Sequence, residues 1–346
     1  MKKISCCILG AFAFTQIVSN AWAWNYPGHH TVNELALASL PTNFPAFVKT
    51  PAAQDRIAFL AGEPDRWRNT PELSLKHVNA PDHYIDLEQL ADYDLTPETL
   101  PPLRYDFVAK LALARAAHPD KFPPIDPKMD MDHTRELVGF LPWEMSECYA
   151  KLKSEFSYLK AFQESGTPAE IANAQENIIY TMGVMGHYFG DASQPLHTTY
   201  HHHGWVGENP NHYTTNTSFH AWIDGDYFEK TGGIFAKDLT NQIHTAGPLF
   251  YNGHAASPTD MFPAFVAFLV QQNKLVEPLY QLEKAGKLTG EGATGLEGRK
   301  FLDEQIVKGG QQLGEVWVSA WQQATPDTYL KRDLEKRKAA TTAPSK

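Results

Sequence analysis

Cysteine is almost absent. The 346-residue chain has three, and two of them, Cys6 and Cys7, fall within its first few positions. Residues 1–23 read as a secretory leader: Lys2 and Lys3 give the positive start, Ile4 to Phe14 an apolar run, and Ala21-Trp22-Ala23 a small-residue cleavage site. Cys6 and Cys7 come too early, with no apolar run before them, to carry a lipid. Cleavage after Ala23 leaves Cys148 alone, which excludes an intrachain disulfide although an exported protein meets an oxidising compartment. Positive charge is also short. Lys and Arg total 30 against 40 Asp and Glu, a formal charge of -10 that becomes -12 once both leader lysines are gone. That balance argues against electrostatic wrapping of duplex nucleic acid. No apolar stretch after the leader is long enough to span a bilayer. Strand-like alternation is scarce, and no segment repeats at a fixed period.

What is present is a folded, helical composition, 42% hydrophobic and 12% aromatic. A helical pattern runs through Leu35, Leu37 and Leu40 and stops at Pro41; a second covers 54–62. The stretch 83–86 alternates like a short extended piece, and 106–117 is helical. Residues 132–162 carry apolar positions at three- and four-residue spacing, with Pro142 expected to kink the helix near its start. The central helix is read at 168–190, followed by a His- and Gly-rich loop over 198–217. Further helices are read at 218–228, 258–284 and 295–323. The expectation is all-α: a single large helical domain over residues 24–325, packed around a central metal-binding helix, with a frayed tail over 326–346.

Chemistry concentrates on that central helix. His187 and Asp191 stand four apart, one above the other on one helix face, and Pro195 then breaks the helix so that His197 can return to the same space. His220 and Asp224 repeat the spacing on a second helix. Either pair alone is compatible with a simple hydrogen bond along a helix surface. Together with His197, Asp65 and His83 they supply enough nitrogen and oxygen donors for more than one divalent ion.

The ordered motifs Trp24-x-x-x-x-His29, Asp65-x-x-Arg68, His83-Tyr84-Ile85-Asp86, His187-x-x-x-Asp191-x-x-x-x-x-His197 and His220-x-x-x-Asp224 resemble those of the three-zinc superfamily. It contains the single-strand-specific nucleases with 3'-nucleotidase activity and the bacterial zinc phospholipases C. The resemblance covers about the first two thirds of the chain beyond the leader. It is closest to the nuclease family, in a bacterial secreted branch. It implies three zinc ions. One would be held by Asp65, His83, His187 and Asp191, and a second by His197, His220 and Asp224. The third would take His29, a bridging Asp191, and the amine and carbonyl of Trp24. A terminal amine has a pKa of about 7.7, loses its proton readily to a metal and chelates with its own carbonyl. Leader cleavage would therefore complete the site.

The implied activity is zinc-dependent phosphodiester hydrolysis by a metal-activated water, with Asp65 and Arg68 catalytic and Arg68 offering a fork of donors to phosphate. Asp224, where the better-known phospholipases carry Glu, and the short gap from Trp24 to His29 lean toward a nuclease. Tyr84 and Asp86 match the positions that stack and hydrogen-bond a base. The substrate expected is single-stranded nucleic acid or nucleotides, with phospholipid as the alternative. No protein partner is indicated, and the location expected is periplasmic or secreted. Tyr200, Trp205 and Tyr213 could stand at the mouth of the site, for bases or for lipid. A non-catalytic zinc-binding protein, with His201, His202 and His203 as its capturing loop, is the third reading.

Overall fold

The computed structural model describes residues 24–128 and 130–342. The expected leader, residues 1–23, lies outside the described residues. So do residues 343–346.

Proline in the first turn opens several of the helices that build the centre, two of them with a capping side chain as well. α1 (Tyr26–Ser39) and α2 (Pro51–Leu60) each carry proline in the first turn, where its missing N–H costs nothing, and the Thr50 hydroxyl accepts from the Ala53 amide at 3.2 Å. The short α3 (Glu63–Arg68) and α4 (Leu73–Asn79) follow, then α5 (Arg104–Ala117), α6 (Leu141–Ser165) and α7 (Pro168–Ser193). α7 begins with a reciprocal box, Thr167 and Glu170 each bonding the other's backbone N–H, with Pro168 in the first turn. It ends where Gln194 turns extended ahead of Pro195. From Thr181 to Ser193 every residue of α7 is buried.

The rest of the chain closes around this helix. Phe219–Ala221 (α8) and Tyr227–Lys230 (α9) are joined by a π turn over Trp222–Asp226, and α10 (Ala236–Leu239) follows. α11 (Met261–Asn273), α12 (Val276–Lys284), α13 (Gly292–Gly295), α14 (Arg299–Gln323) and α15 (Thr328–Thr342) complete the chain. Among the described residues the only strands are Phe250–Tyr251 and His254–Ala255, paired antiparallel. The fold is all-α, and one contiguous apolar cluster runs from Trp24 to Ala324. α7 packs against α1, α2, α6 and α14. Asn33 on α1 locks three of these together, donating to the Gly183 carbonyl of α7 at 3.0 Å and the Ile57 carbonyl of α2 at 2.8 Å. A side chain at Gly186 would put its Cβ 1.5 Å from the Asn33 amide oxygen, so the close approach of α1 and α7 requires glycine there.

Four expectations about elements are corrected. The helix expected from residue 132 begins only at Leu141. Gly139 has φ +91, and Pro142 opens α6 in its first turn instead of kinking it. The freed segment instead runs along the His83 motif: the Phe140 amide donates to the Pro81 carbonyl (2.7 Å), Leu141 to Tyr84 (3.1 Å) and Asp86 to Val138 (2.8 Å). Residues 83–86 are accordingly not a uniform extended piece. A 3-10 turn ends at His83, and only then is Tyr84 extended. The helix expected over 258–284 is two, divided between Asn273 and Val276. The tail expected to fray is helical through Thr342. Leu334 is buried, Arg337 forks onto Glu170 at 2.7 and 2.8 Å, and Lys331 pairs with Glu164.

Candidate metal centre

Six parts of the fold deliver the donor side chains. α1 brings His29, α3 brings Asp65, the 3-10 turn after α4 brings His83, α7 brings His187 and Asp191, the 3-10 turn Pro195–Thr198 that follows it brings His197, and α8 with its π turn brings His220 and Asp224. All eight are buried. His29 reaches α7 because residue 190 is glycine: a Cβ there would stand 2.5 Å from its Nδ1. The π turn sets Asp224 on the widened coil of its helix, and such turns recur at functional sites.

Asp191 is the hinge of the arrangement. Its Oδ2 faces His83 Nδ1 at 3.0 Å and His187 Nε2 at 3.4 Å, while Oδ1 faces His29 Nε2 at 3.4 Å and His197 Nδ1 at 3.8 Å. One carboxylate thus divides its two oxygens between two sets of imidazoles. Ligand atoms within 4.8 Å of one another form three groups: His29, His187 and Asp191; Asp65, His83 and His187; His197, His220 and Asp224. These groups could hold metal ions. His187 stands in two of them, although the resemblance assigned it to one set and gave Trp24 to His29.

The hydrogen bonds around the imidazoles fit that use. His187 Nδ1 lies 2.7 Å from the Ala61 carbonyl and His197 Nδ1 2.5 Å from the His83 carbonyl. A carbonyl can only accept, so each Nδ1 carries the proton and each Nε2 offers its lone pair inward. The Nε2 atoms of His83 and His197 are buried without a hydrogen-bond partner. Orphaned nitrogens of this kind are what a cation satisfies.

Burial, with His187 second, pushes His29 down to about 3. Burial followed by Arg68 does the same to His83, to about 3, and burial brings His197 to about 4 against the pull of Asp191. These imidazoles are neutral ligands well below their ordinary value. Burial would lower His187 too, but Asp191 and Asp65 outweigh it and raise it. Burial would raise Asp65 and Asp191. Arg68 and the histidines reverse this for Asp65, and His187 and His197 for Asp191, so both are held below the usual carboxylate range. Asp224 is pushed well above that range by burial.

A cavity of about 990 Å³ opens over this floor. His197 and His220 reach it from below, and Arg68 lines it with its Nε 2.8 Å from Asp65 Oδ1. Tyr84, Asp86 and His202 form part of its wall. The Tyr84 hydroxyl donates to the Leu137 carbonyl at 3.3 Å, and its ring centroid is 6.5 Å from that of His202. Asp86 is buried, with its carboxyl raised well above the usual range by burial and by Glu88. Farther out stand the cations Lys76, Lys128 and Arg135 and the exposed apolar side chains Leu73, Met131 and Val206.

Tyr200 lines the cavity, but Trp205 and Tyr213 do not. Trp205 stacks on His201 at 3.9 Å, Tyr213 packs on Tyr280 at 5.6 Å, and Tyr213 donates to Glu277 at 2.8 Å. The capturing loop is likewise divided. His201 accepts from the Val206 amide at 3.1 Å beneath Trp205, whereas His202 and His203 line the cavity. Trp24 is fully buried, not a loose end: its indole N–H reaches Ser193 Oγ at 3.3 Å and its ring meets Phe228 edge-on. Gln194 escaped the sequence reading. It donates to Asp224 Oδ1 at 2.5 Å, and its one signal in the sequence was a polar residue between the Asp191 and His197 positions.

Neither family models nor curated proteins give a match to the chain.

Proposed function

We propose that the protein is an exported zinc-dependent phosphodiesterase, most specifically an endonuclease and 3'-nucleotidase acting on single-stranded nucleic acid. The observation that carries this reading is the divided carboxylate of Asp191, beside a third His/Asp group and beneath a cavity that holds Arg68. Nitrogen- and oxygen-rich buried sets suit zinc. Asp65, His83, His187 and Asp191 would hold one ion, His197, His220 and Asp224 a second, and His29, Asp191 and the Trp24 terminus a third. Bound there, the ions supply an activated water and polarise the phosphate. The chain does the rest. Arg68, aligned by Asp65, presents positive charge to a phosphate entering the cavity. Ala61 and the His83 carbonyl hold their imidazoles in one tautomer. Tyr84 offers a face for stacking, and Asp86, whose carboxyl burial pushes up, can hydrogen-bond a base edge.

Phospholipase C activity is the second reading, favoured by the exposed Leu73, Met131 and Val206 on the rim. The deciding assay compares single-stranded DNA and RNA with phosphatidylcholine vesicles, with chelator and then with zinc restored. Zinc-restored cleavage of nucleic acid alone is expected; headgroup release alone would make the protein a phospholipase. Stoichiometric zinc without turnover on either would favour a binding protein. One alanine added before Trp24 should abolish turnover and lower zinc content, and full retention of both would remove the N-terminal ligand.

A further inference from the structure

Gln194 is fully buried where α7 ends, and it touches two of the three residues in the His197, His220 and Asp224 group. Its backbone carbonyl accepts from the His197 amide at 3.0 Å. Its side-chain Oε1 accepts from the Leu196 amide at 2.7 Å. A backbone N–H can only donate, so this contact fixes the orientation of the side-chain amide and directs its NH2 to Asp224. The NH2 meets Asp224 Oδ1 at 2.5 Å, while Oδ2 of the same carboxylate faces His220 Nε2 at 3.0 Å. The Asn25 amide holds the Asp224 backbone carbonyl at 2.9 Å, but among the described residues no other side-chain hydrogen bond to this carboxylate is seen.

We propose that Gln194 is a positioning residue: it engages Asp224 Oδ1 so that only Oδ2 is presented beside His220 and His197, and it holds that carboxylate in register with the backbone of His197. The proposal rests on the reading of this group as a metal site. Asp191, by contrast, leaves both oxygens to imidazoles and bridges. The same side-chain type is thereby made a one-oxygen ligand in one place and a two-oxygen ligand in the other. Neighbours that orient a metal ligand commonly govern affinity about 10- to 100-fold.

The test is zinc content per chain after dialysis against buffers of graded free zinc, read by elemental mass spectrometry, with visible absorption of the cobalt-loaded protein as a second readout. The variants are Gln194→Ala and Gln194→Glu. Wild type should hold three ions. Gln194→Ala should bind one of them about 10- to 100-fold more weakly, change one component of the cobalt spectrum and leave the other two ions in place. Gln194→Glu keeps the size and the Leu196 contact but sets a carboxylate against Asp224, so its loss should be larger. It also decides the matter if the alanine variant does not fold. Three ions held as tightly in both variants as in wild type, even with a lower melting temperature, would overturn the positioning role and leave the metal reading intact. A wild-type protein that holds no metal would sink the metal reading itself.

Discussion

Two helix segments carry the same His-x-x-x-Asp spacing and come out chemically unlike. His187 and Asp191 lie on a regular, buried helix whose neighbours supply histidines on every side and a carbonyl to hold the His187 ring. There the carboxyl is drawn down and the imidazole up. His220 and Asp224 lie across a short helix and a π turn, with Gln194 on the carboxyl. Here burial dominates both groups, raising Asp224 and lowering His220. Spacing places two side chains on one face. Their charge is decided by what the rest of the chain packs against them.

If Asp191 joins two ions and Asp224 serves one, substitution should separate them. Asp191→Asn is expected to give the largest effect, zinc falling from three ions toward one and phosphodiesterase activity to background. Elemental analysis checks this, and retention of all three ions would break the contrast. Asp224→Asn should lose a single ion and leave the other two, visible as a stoichiometry of two in the same measurement. Loss of all three would mean that the groups are not independent.

A smaller effect tests whether α7 stands without metal. Glu155 on α6 accepts from the Thr181 hydroxyl of α7 at 2.7 Å, and burial raises its carboxyl to about 7. A folded value above the unfolded one stabilises below the unfolded value, near 4.5, and that contribution is lost as pH rises through about 7. Glu155→Gln should therefore raise the melting temperature of metal-free protein at pH 8, by about 1–3 kcal/mol in stability, and change it little at pH 5. An equal effect at both pH values would show that ionisation of Glu155 is not what the substitution removes.

Much of the candidate site was legible in the sequence because helix periodicity is local. His187 with Asp191 and His220 with Asp224 follow from a four-residue count, and the return of His197 follows from Pro195. The start of α6 was misjudged because apolar spacing continued upstream through Leu137, while Gly139 and Pro142 set the boundary. Trp205 and Tyr213 drew attention as loop aromatics, yet Tyr280, far along the chain, gives them a packing partner. Gln194 has no periodic signature, and its role exists only once Asp224 lies against it. The tail helix was hidden for a similar reason: its polar composition gives it little apolar face, and Glu164 and Glu170 lie on distant turns of chain.

By itself, the sequence determined the helical class and the two His/Asp pairs, because each depends on residues within a turn or two of one another. Only the tertiary structure decided that Asp191 divides its oxygens, that Gln194 commits one oxygen of Asp224, and which aromatic rings reach the cavity. Those outcomes depend on contacts between residues far apart in the chain, from 30 positions for Gln194 with Asp224 to 108 for His83 with Asp191. Close packing of α1 and α7 through Gly186 and Gly190 is what brings His29 within reach of Asp191.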